Sequence, residues 1–253
     1  HYLRFTAKQA GQGFSNKAYD GIHLEKDHTY KVSFYARCVG YEGDGFQITV
    51  QKDGKIFAQA EVKVVKPVPY VPFCDLKIPM EIGYGTLSSD IEKIHRMDQS
   101  GKCRRSEWIK YEMVLVAVDN VRGAQFAIML DAPGIVEFDL ISMIPEDAVA
   151  GIFRKDLFEA LQAIKPGFVR FPGGCIVEGI SLDNRYYWKN TVGDVKDRRY
   201  IPNLWAFDDD WGKNDPMTKR PDAHYGQSFG LGFYEYFLLC ELLGAKPLPV
   251  LNI

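Results

Sequence analysis

Histidine is scarce and scattered in this chain: there are five, and they form no ligand cluster. Long apolar runs are missing, so no segment reads as membrane-spanning. Charge of one sign is missing too. Lys+Arg 31 against Asp+Glu 33 leaves a net charge of −2, which gives no basic footprint for nucleic acid or an anionic membrane surface. Cysteine is sparse and odd in number: Cys38, Cys74, Cys103, Cys175 and Cys240, with no metal-ligand spacing. Reduced thiols, mostly buried, are expected rather than a disulfide framework. No metal and no cofactor is implied. No leader peptide stands at His1, but the chain starts in what reads as mid-protein sequence, so this excludes no compartment. A homo-oligomer is compatible with all of these features. What is present is 253 residues, 46% hydrophobic and 25% charged, ordinary for a soluble globular chain and enough for one or two domains.

Residues 1–147 alternate with period 2. Tyr2–Thr6, Tyr30–Arg37, Gly45–Val50, Trp108–Val116, Gln125–Leu130 and Val136–Ile141 each place apolar side chains on one face of a strand. Asp53-Gly54 inside Gln51–Lys55 is a two-residue hairpin signal. Short alternating strands separated by turn residues predict a β-sandwich, a jelly roll in arrangement. The pattern breaks over 66–106, which is rich in Pro, Gly and charge and reads as a long insertion between two strands. Its aromatics Tyr70, Phe73 and Tyr84 could stack on sugar rings or pack the loop against a neighbouring domain.

Pro145-Glu146-Asp147-Ala148 marks the boundary, and 148–253 reads as α/β. Over Arg154–Lys165, Leu157, Leu161 and Ile164 recur at helical spacing, and Lys165-Pro166-Gly167 stops the helix. The chain then centres on Phe168-Val169-Arg170-Phe171-Pro172-Gly173-Gly174-Cys175-Ile176-Val177-Glu178-Gly179. This is a short apolar strand closed by a cation, followed by a turn whose glycines let a ligand approach the main chain. Ligands of parallel α/β folds bind at this end of a strand. The bland alternative is an arginine paired to a neighbouring carboxylate beside an ordinary loop.

Between Asn190 and Ser228 the chain is irregular and charged. It holds Arg198, Arg199, Asp208-Asp209-Asp210, Asp215 and Asp222. Carboxylates of this kind can hold calcium, but no alternating ligand spacing is present and a solvated loop is the reading adopted. Trp188, Trp205, Trp211 and Tyr225 are candidate sugar platforms or ordinary packing residues. Gly232–Glu241 reads as a helix with an apolar stripe of Phe233, Tyr236, Phe237 and Cys240, capped by Gly244. Pro247–Ile253 reads as a strand too apolar to be exposed.

Three ordered motifs in 154–252 resemble family 51 of the glycoside hydrolases, the α-L-arabinofuranosidases. They are Arg170-Phe171-Pro172-Gly173-Gly174-Cys175; Tyr187-Trp188-Lys189-Asn190 with Gly193; and Gly230–Tyr236 running into Leu243–Asn252. Gly11–Asn16, Tyr19–Ile22 and Asp139–Met143 are similar to the carbohydrate-binding-module-type sandwich that some members carry. The resemblance implies a jelly-roll sandwich followed by a partial (β/α) TIM barrel. It implies hydrolysis of terminal α-L-arabinofuranosyl residues from plant polysaccharides by a retaining mechanism, in which two carboxylates lie about 5 Å apart. It also implies an extracytoplasmic location, periplasmic or secreted. The family's catalytic glutamates lie on later strands, and no residue here matches either of them. The family's first barrel strand has no counterpart either, so the chain reads as an inserted sandwich plus two barrel strands and their helices.

Carried over residue by residue, Arg170 lines the arabinose subsite, Gly173 and Gly174 form its turn, and Trp188 is the loop tryptophan. Cys175 stands where many members have a sugar-binding asparagine, and a thiol donates weakly. A non-catalytic carbohydrate-binding or interaction module is the competing reading.

Overall fold

A computed structural model of the chain describes residues 2–65, 108–179, 182, 185–202 and 226–252. The expected insertion at 66–106, with Tyr70, Phe73, Tyr84, Cys74 and Cys103, lies outside these residues. So do Trp205, Asp208-Asp209-Asp210, Trp211, Asp215, Asp222 and Tyr225. The chain divides into two compact units, His1–Glu146 and Asp147–Ile253.

The first unit is an antiparallel sandwich. Its strands are β1 (Leu3–Ala7), β2 (Gly13–Asn16), β3 (Ile22–Leu24), β4 (Thr29–Val39), β5 (Gly45–Lys52), β6 (Lys55–Lys63), β7 (Ile109–Val116), β8 (Val121–Leu130) and β9 (Gly134–Pro145). One sheet runs β1-β9-β4-β7; the other runs β2-β8-β5-β6, with β3 also on β8. Alternation does what the sequence predicts: Tyr30, Val32, Phe34, Ala36 and Cys38 of β4 all point inward. Phe34 and Phe138 from one sheet meet Phe46 from the other, with ring centroids 5.5–6.0 Å apart. Asp53 and Gly54, both at positive φ, close the β5–β6 hairpin between Lys52 and Lys55.

Two outward positions behave otherwise. Arg37 and Glu137 are directly paired in register and both are buried. Glu137 accepts from Arg37 and from Arg4, and the Arg37 guanidinium lies 4.5 Å from the Trp108 ring centroid. A guanidinium covered by an aromatic face is shielded from water without entering the core.

The second unit contains α1 (Lys155–Ile164), β10 (Phe168–Phe171), the one-turn helix α2 (Cys175–Glu178), β11 (Ile201–Pro202), β12 (Gly226–Gln227), α3 (Phe233–Leu243) and β13 (Lys246–Pro249). Single 3-10 turns occupy Trp188–Thr191 and Val195–Asp197. β10 and β13 pair in parallel, Phe168 opposite Lys246 and Phe171 opposite Pro249. A parallel pair needs a crossover, and α3 supplies its last part. The core gathers Phe171, Tyr186, Ile201, Phe229, Phe233 and Cys240.

Three expectations are corrected here. The α1 stripe of Leu157, Leu161 and Ile164 faces solvent, and Phe158 is the buried residue of that helix. The last strand ends at Pro249 and is open, with Leu248 and Leu251 about half exposed. Parallel strands are buried when neighbours flank them and helices cover them; β13 is bonded on one side, to β10, among the described residues. On α3, Phe237 is exposed while Glu235 is buried.

Candidate functional site

The site grows from the end of β10. Lys165 takes the left-handed conformation that ends α1, and Pro166-Gly167 redirects the chain. Phe171 anchors β10 in the core, against Tyr236 at 5.0 Å, Phe237 at 5.3 Å and Phe233 at 5.5 Å. Strand alternation then turns Arg170 the other way, and it is exposed. Among the described residues no carboxylate pairs with its guanidinium; Asp208, Asp209, Asp210, Asp215 and Asp222 lie outside them.

Gly173 holds that guanidinium up. A Cβ on Gly173 would stand 2.7 Å from Arg170 Cζ, and its φ of 107° is one that side-chain-bearing residues rarely adopt. The positive φ is what calls for glycine here, since the contact is only with the flexible end of the Arg170 side chain. Gly174 opens α2, which begins at Cys175. Cys175 is exposed and not disulfide-bonded, whereas Cys38 and Cys240 are buried. Glu178, expected in a loop, is the exposed last residue of α2. The end of β10 and α2 are tied to the segment that follows β13, by Val250 N–H donating to Phe171 O at 2.7 Å and by Asn252 Nδ2 donating to Val177 O at 3.2 Å.

The structure thus brings Arg170, Gly173, Gly174 and Cys175 into one turn at the carboxyl end of β10. Trp188 belongs to a different segment and reaches the same core through Phe233, 6.3 Å away ring to ring. It is 39% exposed, so part of the indole is open to a ligand.

Sequence reasoning missed what fixes that segment. Arg198 is buried and uses all five of its donors. Nε and Nη2 donate to Gly193 O, Nη1 to Phe229 O, and the two Nη atoms grip both oxygens of Glu235 at 2.9 and 2.7 Å. Glu235 also accepts from Gly232 N–H at 2.7 Å, capping α3. Burial pushes the Glu235 carboxyl up, but the bonds from Arg198 and from backbone N–H groups outweigh it and hold the group below its usual range. The signal available in the sequence was a glutamate at the third position of an expected helix, which is a capping residue; its arginine lies 37 positions away.

Tyr186 sits beside this pair, its hydroxyl pushed up to about 12, mainly by burial. The folded state therefore keeps the neutral phenol where the unfolded chain, near the ordinary 10.0, ionises. Stability from this group is complete below pH 10 and is lost as pH rises toward 12. In Tyr186→Phe, alkaline unfolding of the second unit should shift upward in pH; an unchanged midpoint would remove Tyr186 as the cause.

Comparison with known proteins places these features. A family profile described as Alpha-L-arabinofuranosidase 1 domain matches residues 160–253. Alpha-L-arabinofuranosidase 1 of Arabidopsis thaliana is 30% identical over 244 residues, 96% of this chain and 28% of that protein. An extracellular exo-alpha-L-arabinofuranosidase of Streptomyces chartreusis is 35% identical over 157 residues, 56% of this chain and 17% of that protein. A solved arabinose-bound family 51 α-L-arabinofuranosidase superposes with TM-score 0.68 at 22% identity, covering 98% of this chain and 33% of that one. The chain therefore spans less than a third of the length of the curated relatives it matches, and the solved structure shares its fold.

Proposed function

We propose that this chain is part of a glycoside hydrolase of the family 51 α-L-arabinofuranosidase type, and that its second unit supplies one wall of the subsite that holds a terminal L-arabinofuranosyl residue. The protein it belongs to would release that residue from arabinose-containing polysaccharides outside the cytoplasm. The observation that carries this reading is the exposed Arg170 guanidinium, without an ion-pair partner among the described residues and propped on Gly173 at the carboxyl end of a parallel strand. A fixed fork of exposed donors at that position suits the oxygens of a sugar ring. Gly173 and Gly174 keep the turn low enough for the sugar to approach, and the open part of Trp188 offers an apolar face for ring carbons. Cys175 stands at the mouth of this wall as a weak donor. The sandwich is the carbohydrate-binding-module-like part of the reading, with residues 1–147 as one domain, the insertion at 66–106 within it, and 148–253 as the partial barrel.

The test is titration of the chain with L-arabinose, followed by NMR of the Arg170 side chain. Arg170→Ala should abolish the response, and Arg170→Lys should weaken it about tenfold, because a point charge replaces a fork. Equal responses in wild type and Arg170→Ala would show that the sugar wall lies elsewhere.

A further inference from the structure

The sugar wall of this reading depends on an indole whose own residue makes few anchoring contacts. Trp188 lies in a single 3-10 turn, a short element with weak hydrogen bonding of its own. Yet its neighbour Thr191 is completely buried. The Thr191 hydroxyl donates to Trp188 O at 2.8 Å and accepts from Phe233 N–H, the first residue of α3, at 3.0 Å. Gly232 is packed so tightly on this turn that a Cβ there would stand 1.9 Å from Thr191 O. The next link is Gly232 N–H, which donates to Glu235, and Glu235 in turn is gripped by Arg198. Arg198 closes the circuit by donating twice to Gly193 O, two residues beyond Thr191. Every bond in this circuit lies on or beside the turn that carries Trp188.

We propose that Thr191, Glu235 and Arg198 are positioning residues that act through one hydrogen-bonded relay to fix the orientation and exposure of the Trp188 ring. A desolvated ion pair contributes little net stability compared with apolar packing of the same volume, so holding a geometry is the role to which it is suited. The relay orders a polar loop from inside, at the start of a rigid helix, while leaving the indole open on its outer side. Its value for sugar binding rests on the subsite assignment above; its effect on Trp188 does not.

The experiment reads Trp188 directly. The chain has four tryptophans, so the Trp188 signal is taken as the fluorescence difference between the chain and its Trp188→Phe variant. Acrylamide quenching of that difference reports ring exposure, and L-arabinose is the titrated ligand. Thr191→Val keeps the volume and removes the hydroxyl. It should raise quenching of the Trp188 signal and weaken L-arabinose binding about tenfold, the scale of one lost hydrogen bond. Thr191→Ser, which keeps the hydroxyl, should restore both, and it decides the matter even if the valine variant loses its fold. A Trp188 signal unmoved in Thr191→Val, or moved to the same degree in Thr191→Ser, overturns the relay. A wild-type chain blind to L-arabinose whose indole nevertheless opens in Thr191→Val keeps the relay and removes the sugar assignment.

Discussion

Glu235→Gln is expected to lower the stability of the second unit by about 3 kcal/mol or more, the range measured when one partner of a buried ion pair is removed. The change is nearly isosteric, so the loss does not come from a cavity. It comes from Arg198, whose side chain is 2% exposed and would remain charged without its counter-ion. Amide exchange along α3 reads it: protection at Phe233–Leu243 should fall by about two orders of magnitude, since 1.4 kcal/mol is a factor of ten. Protection in β5 and β8 of the sandwich should stay as it is. Unchanged protection in α3 would mean that the pair is solvated and adds no strength to the helix start. The pH dependence has a definite sign. The folded carboxyl is held below its usual value, so the stability it supplies is complete above the ordinary glutamate value of 4.5. It is lost as pH falls below that value through the depressed folded one. In Glu235→Gln this acid limb should flatten.

The second large effect is on chemistry. The 253-residue chain is expected to turn over an aryl α-L-arabinofuranoside no faster than buffer does. Retaining hydrolysis needs a proton donor and a nucleophile flanking one bond, about 5 Å apart. Glu235 cannot serve as either, because Arg198 and Gly232 N–H hold both of its oxygens and keep it ionised inside the protein. Glu178 is exposed at the end of α2, and among the described residues no hydrogen bond or ion pair fixes it against a substrate. Arg170 and Trp188 can orient a sugar, but neither transfers a proton. Turnover well above buffer that disappears in Glu178→Gln would place a catalytic acid in α2 and overturn this account.

Several elements were legible without coordinates. Asp53-Gly54 specifies a two-residue hairpin because both positions need positive φ, and both have it. Tyr30–Arg37 alternates because one face of β4 meets Phe46 and Phe138. Arg170 at the end of an apolar strand, followed by two glycines, marked the turn at which the structure places it. These are local signals, fixed by backbone sterics or by a period of two or 3.6 residues.

What the sequence alone determined about this protein is therefore the succession of a β region and an α/β region, the hairpin, the strand that carries Arg170 and the family resemblance of its motifs. What only the tertiary structure decided is which polar groups are enclosed and which apolar groups are open. Arg198 and Glu235, 37 residues apart, and Arg37 and Glu137, 100 apart, read as surface charges because no short-range rule links them. They are buried because the fold brings each guanidinium onto a carboxylate that can satisfy it. Leu157, Leu161 and Leu248 carry a buried pattern and are exposed, because periodicity specifies a face but not whether a neighbour covers it.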